Sequence, residues 1–158
     1  MGCSTYFKSG FTFDEPVSEE FKNYINKFSD TRRMMRSNSK IKEIYPDWEE
    51  QCFNGELGLH GEYFVGGSDR MDASVIDYNK PSANQPGLWC QWIITDDCKQ
   101  LIWDGNEKFY NFKDWLVYLI KNFILPSGYK LNGEVFWYDD YGTTGTIFVD
   151  SNKVYFED

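Results

Sequence analysis

Gln85 to Phe123 reads QPGLWCQWIITDDCKQLIWDGNEKFYNFKDWLVYLIKNF and carries four of the six tryptophans, Trp89, Trp92, Trp103 and Trp115, in about a quarter of the chain. Within it Leu88, Cys90, Trp92 and Ile94 alternate with Trp89, Gln91, Ile93 and Thr95, the period of two that sends successive side chains to opposite faces of a sheet. Both faces are apolar, so a central strand over Leu88 to Thr95 is expected. Asp96, Asp97 and Cys98 break the pattern, and Leu101 and Trp103 resume it over Gln100 to Trp103, which predicts a β-hairpin. After the turn Asp104-Gly105-Asn106, a helix is predicted over 111–125, with Asn111 as N-cap and Asp114 at the capping-box position. Its apolar residues, Phe112, Trp115, Leu116, Leu119, Ile120 and Phe123, fall at i, i+3, i+4, i+7, i+8 and i+11, one continuous face. Burying six such side chains contributes on the order of 10 to 15 kcal/mol gross, before conformational entropy is subtracted. Pro126 cannot extend the helix and Gly128 tolerates the left-handed conformation that follows a helix end.

Working outward, Thr5 to Phe13 alternates as a first strand. Ser18 is a candidate N-cap for a helix over 18–29, where Glu19 and Glu20 suit the positive end of the helix dipole and Phe21, Tyr24, Ile25 and Phe28 form the apolar stripe. Gly133 to Tyr138 supplies a further strand, and Thr146 to Asp150 and Lys153 to Phe156 flank Ser151-Asn152 as a terminal hairpin. With Asp30 to Asn84 set aside, the order is strand, helix, strand, strand, helix, strand, the split βαβ or ferredoxin-like order. The expected fold is therefore α+β: one antiparallel-rich sheet with two helices on the same face, in a single domain over 1–158. It carries a loop-rich insertion at about 30–84 and a C-terminal hairpin.

The formal charge of −9 repels a phosphate backbone, which argues against general nucleic-acid or anionic-membrane binding. The N-terminus lacks a charged segment followed by an apolar one, and no run approaches the roughly 18 apolar residues of a membrane span, so a cytoplasmic protein is expected. Gly2 and Cys3 suggest a lipidation start, but Tyr6 stands where serine or threonine is needed. Cys3, Cys52, Cys90 and Cys98 form no C-x-x-C pair and accompany a single histidine, so no metal is expected. His60-Gly61-Glu62 matches half of a zinc deaminase signature whose P-C-x-x-C half is absent. No cofactor motif and no catalytic set emerge.

Inside the insertion, Thr31 to Lys42 reads TRRMMRSNSKIK and holds five cations without an acid, leaving −14 on the rest of the chain. It reads either as a solvated continuation of the preceding helix, paired with the acidic surface, or as an anion site, since arginine forks suit phosphate. Cys52 to Gly67 alternates turn glycines with apolar residues, which predicts loop and short strand.

The runs NQPGLWCQW, IWDGNEKFYNFKDWLVYLIKNF and GYKLNGEVFWY, with a closing G-x-I-x-V-x-x-N-x-V, together resemble a widespread group of small proteins encoded by tailed phages and prophages. TRRMMR and FNGELGLHGEYFVGG extend the likeness over almost the whole chain. The group carries a more acidic stretch where this chain has Trp137 to Gly142. The resemblance implies a phage accessory protein working in the host cytoplasm, and by analogy a non-enzymatic counter-defence factor.

Two functions follow as expectations. In the first the protein sequesters a small phosphorylated, nucleotide-type host signalling molecule: Tyr63, Trp89, Trp103 and Tyr110 stack on a base, Arg32, Arg33 and Arg36 hold phosphate, and Gln85, Asp104 and Glu107 read polar edges. In the alternative, acidic loops around Asp96, Asp97, Asp139 and Asp140 let it block a host immune protein or nuclease by direct contact.

Overall fold

The computed structural model describes residues 3–52, 71–82 and 85–158. Thr5 to Phe13 is not one strand but two, β1 (Thr5–Lys8) and β2 (Phe11–Phe13). The break is at Ser9, whose φ is 73°, and Gly10, where a Cβ would stand 2.6 Å from Ile102 Cγ2 and 3.2 Å from the Leu101 carbonyl. Glycine lets the neighbouring strand approach that closely.

α1 (Glu19–Ser29) starts as expected, the Ser18 hydroxyl accepting from the Phe21 N–H at 3.1 Å. The central hairpin is β5 (Trp92–Ile94) and β6 (Gln100–Trp103), separated from α1 by β3 (Met34–Arg36), α2 (Asn38–Ile44), a 3-10 turn (Trp48–Gln51) and β4 (Val75–Pro81). Next come α3 (Phe112–Leu119), which runs into a π-helical turn (Ile120–Ile124), then β7 (Leu131–Asp139), β8 (Thr144–Asp150) and β9 (Lys153–Glu157).

The main sheet runs β5-β6-β2-β7-β8-β9, with β1 also on β7, and every pairing is antiparallel. Its first four positions are the split βαβ order, and the terminal hairpin extends it. β1 and β2 keep a common register on β7, Lys8 opposite Phe136 and Thr12 opposite Asn132. Both helices lie on one face, touching through Tyr24 with Phe123 (ring centroids 5.3 Å apart) and Phe28 with Trp115 (6.0 Å). Beneath them Phe11, Trp92, Leu101, Leu131 and Val135, none with exposed surface, complete the main core, and Ile41, Tyr45 and Cys52 form a second, smaller cluster.

Three further local expectations are corrected. The hairpin strand expected over Leu88 to Thr95 is confined to Trp92–Ile94 and stands at the end of the sheet, not in its middle. Its free edge is covered by a side chain: Asn26 on α1 donates to the Ile94 carbonyl (3.0 Å) and accepts from the Ile94 N–H (2.7 Å), as a neighbouring strand does. Asn111 does not cap α3. It sits in the left-handed region (φ 60°), and its amide donates to the Pro86 carbonyl at 2.7 Å, tying the helix start to the segment before β5. Nor does Thr31 to Lys42 continue α1. The Asp30 N–H and the Thr31 hydroxyl close off the last turn on the carbonyls of Asn26 and Lys27, and the chain enters β3, which pairs with β4.

Candidate functional site

The basic cluster is spent largely on the protein itself. Arg36 is buried, its side chain 1% exposed, and its guanidinium meets the Asp72 carboxylate at 3.1 Å and the Ser74 hydroxyl at 2.7 Å. Burial opposes charge on Asp72, but the Ser74 hydroxyl, the Tyr45 phenol, the Ser74 N–H and Arg36 all donate to it and together hold it well below the usual carboxylate range. Arg33, also buried, stacks on Phe28 at 4.1 Å and donates from Nε to the Thr31 carbonyl. Arg32, half-buried, lies 3.9 Å over the Tyr78 ring and donates to the Tyr78 carbonyl. Position by position these three arginines stabilise the β3–β4 insertion and its seat against α1, while Lys40 pairs with Glu43 on α2 and Lys42 lies over Trp48.

The other expected ligand residues are scattered. Gln85 is buried beside α3 and donates to the Tyr118 hydroxyl at 3.1 Å. Trp89 is half-buried in the loop before β5, Asp104 accepts from the Asn106 N–H in its own turn, and Tyr110 is exposed at the loop before α3. Tyr63 and His60 lie outside the described residues. Trp103 and Glu107 do come near one another at the open end of β6. The Trp103 indole N–H is held by Gln91 Oε1 and the Asn106 carbonyl, its ring meets Tyr6 edge-on at 6.3 Å, and the Glu107 charge acts on the Tyr6 phenol. An open cleft of about 620 Å³ beside α1, lined by Ser18, Phe21, Tyr24, Cys52, Ser127 and Tyr129 among others, includes no expected ligand residue.

What the strands do assemble is the sheet face turned away from the helices. Cross-strand partners share a face. Tyr6 stands opposite Tyr138, Lys8 opposite Phe136, Phe136 opposite Thr146, Glu134 opposite Phe148, and Phe148 opposite Tyr155. On β7 the inward residues Leu131, Val135 and Trp137 are buried, while Phe136 and Tyr138 remain 41% and 37% exposed; Tyr155 is 55% exposed. Tyr6 and Tyr138 stack at 5.2 Å, Phe136 lies 6.4 Å from Tyr138, and the Lys8 ammonium sits 5.9 Å over the Tyr138 ring. The result is an aromatic row from β1 across β7 and β8 to β9.

Charge on this face is mixed and mostly negative. Lys8 and Lys153 share it with Glu134, Asp150 and Glu157, and Asp140 stands at the end of β7. Asp140 also fixes the row's first member: its carboxylate accepts from the Tyr6 hydroxyl at 3.1 Å and from the Ser4 N–H at 3.0 Å. That hydrogen bond, with the charge behind it, raises the phenol's pKa and keeps it a donor.

Sequence reasoning passed over these residues because it sought ligand groups near the tryptophans. The signal was nevertheless in the chain. Leu131 to Asp139 alternates Val135 and Trp137 with Phe136 and Tyr138, so the strand is aromatic on both sides although the predicted helices cover only one. Among the described residues no helix is long and apolar enough to cross a membrane. Comparison of the chain with protein-family models, with curated proteins and with solved structures finds no match.

Proposed function

We propose that the protein is a non-enzymatic binding protein that covers a basic surface of a partner protein with the open face of its sheet. This takes up the alternative expectation, an acidic protein that blocks a host immune protein or nuclease, and moves its contact surface from the loops around Asp96, Asp97, Asp139 and Asp140 to the sheet. The observation that carries the proposal is the open-face aromatic set, with Phe136, Tyr138 and Tyr155 exposed and Tyr6 and Phe148 half-buried, placed among carboxylates. Aromatic faces attract guanidinium and ammonium groups, and carboxylates beside them complete a site for arginine or lysine. Lys8 over Tyr138 already makes such a contact within the chain.

A sheet face of stacked aromatics also serves single-stranded nucleic acid, but such platforms sit in positively charged grooves that follow the phosphates. Here acids outnumber lysines on the face, and the whole chain carries −9. The charge favours a basic protein.

The test is calorimetric titration with an arginine-rich peptide, a single-stranded oligonucleotide and a set of nucleotides. Peptide binding that weakens with salt and is lost in Tyr6→Ala/Tyr138→Ala, at unchanged fold, supports the proposal. Oligonucleotide binding through the same residues would replace it with the stacking-platform reading. Nucleotide binding that disappears in Arg32→Ala would restore the small-ligand reading.

A further inference from the structure

β9 ends the strand order, and no strand among the described residues pairs with its outer edge. The hairpin fixes which of its backbone groups point outward. Ser151 (φ 46°) and Asn152 (φ 73°) form a two-residue turn closed by Asp150 and Lys153. In such hairpins the closing pair exchanges hydrogen bonds and the pairs then alternate. Lys153, Tyr155 and Glu157 therefore direct their N–H and C=O groups at β8, while Val154 and Phe156 direct theirs away from it. The edge has no proline, and its pairing with β8 runs without a bulge, so two of the usual guards against strand addition are missing; its charges, Lys153 and Glu157, are of opposite sign. Tyr155 and Phe156 on it are 55% and 42% exposed.

We propose that this edge pairs with the same edge of a second copy of the chain, antiparallel, about a two-fold axis through Tyr155. Strand pairing needs the outward groups of Val154 and Phe156 to face each other, which allows two-fold axes at Val154, Tyr155 or Phe156. Only the axis at Tyr155 pairs all five residues of β9. It sets Val154 opposite Phe156 of the second copy, twice, each pair exchanging both backbone hydrogen bonds. It also sets Lys153 opposite Glu157 of the second copy, twice, and Tyr155 opposite its own copy at the closer, non-hydrogen-bonded spacing. The sequence is thus self-complementary in charge and in hydrogen bonding at one register. An axis at Val154 sets Lys153 against Tyr155 and Phe156 against Asn152 in the turn. An axis at Phe156 sets Glu157 against Tyr155. Neither gains an ion pair.

The structure holds the edge ready. Lys113 on α3 pairs with Asp158 at 2.5 Å and lies 5.2 Å over the Phe156 ring, anchoring the end of β9 from the helix side. Pairing joins two sheets into one and brings the two copies of Tyr155 together across the axis on the open face, each with Phe148 of its own chain behind it. A partner then meets a double-length aromatic row. This inference rests on the edge alone and stands or falls separately from the proposed function.

Sedimentation velocity over a concentration series tests it. The unmodified chain is expected to dimerise. Lys153→Glu alone or Glu157→Lys alone places like charges opposite each other twice and should weaken dimerisation roughly tenfold or more. The double swap Lys153→Glu/Glu157→Lys restores both attractive pairs and should recover the dimer, and so should an equimolar mixture of the two single variants. Val154→Pro is a backbone control: it removes an outward N–H that β8 does not use, so it should leave the melting temperature nearly unchanged and abolish dimerisation. A monomeric unmodified chain at submillimolar concentration would overturn the proposal. So would single variants that dimerise as tightly as the parent, or a mixture that stays monomeric.

Discussion

Arg36 and Asp72 show how a side chain that reads as a ligand group becomes a structural one. Five cations without an intervening acid point to an external anion. The compensating carboxylate instead lies 36 residues away, delivered by the β3–β4 pairing, and no local pattern predicts that pairing. Removing one member of a buried ion pair leaves the other uncompensated, so Arg36→Ala should cost about 3 to 5 kcal/mol in denaturant unfolding. Asp72 adds a pH signature. Its folded pKa lies below its unfolded value of about 3.9, so the stability it contributes is present above that value and is lost as pH falls toward the folded one. Asp72→Asn should be less stable at neutral pH and should lose less stability than the parent when unfolding is repeated between about pH 5 and pH 3. Equal acid slopes in the two proteins would show that the carboxylate titrates normally.

At the scale of elements, periodicity located both core helices, the central hairpin and the terminal hairpin, because each is a local pattern closed by a turn or a cap. It misplaced β5, since alternation reports which faces of a strand are covered and not which edges are paired. That edge is satisfied by Asn26 and Ser29 on α1, contacts 68 and 63 residues apart in sequence. A second device, within one hairpin, joins β7 and β8. Trp137 stands opposite Gly145, and a Cβ on Gly145 would come within 2.6 Å of the indole. The ring has little room to yield: it is 6% exposed and packed against Phe112 at 5.3 Å, with the Lys113 ammonium 5.4 Å from its centroid. Gly145→Ala should therefore destabilise by about 1 to 3 kcal/mol through overpacking, although alanine suits a strand better than glycine. A neutral or stabilising result in thermal unfolding would mean that the indole swings clear, and the β7–β8 contact would then be looser than it looks.

Across the whole molecule the two sides of one sheet divide the aromatic content by role, and this division makes stability and binding separable. Trp115 on the covered side has no exposed surface, and its indole N–H has no hydrogen-bond partner among the described residues, so its contribution is packing. Trp115→Ala should cost about 3 to 5 kcal/mol. Phe136 and Tyr138 on the open side have residues of the same character in the same sheet, yet they give up only cross-strand contacts worth about 0.2 to 1 kcal/mol each. Phe136→Thr and Tyr138→Thr should each shift unfolding by less than about 1 kcal/mol, since threonine also suits a strand. If the open face is the binding surface, the same two substitutions should abolish partner binding, whereas Trp115→Ala should leave affinity per folded molecule intact. Measuring unfolding and arginine-rich peptide binding on all three variants decides the matter. An open-face substitution that costs as much stability as Trp115→Ala would show that the face is a second core, covered in the working protein and not offered to a partner.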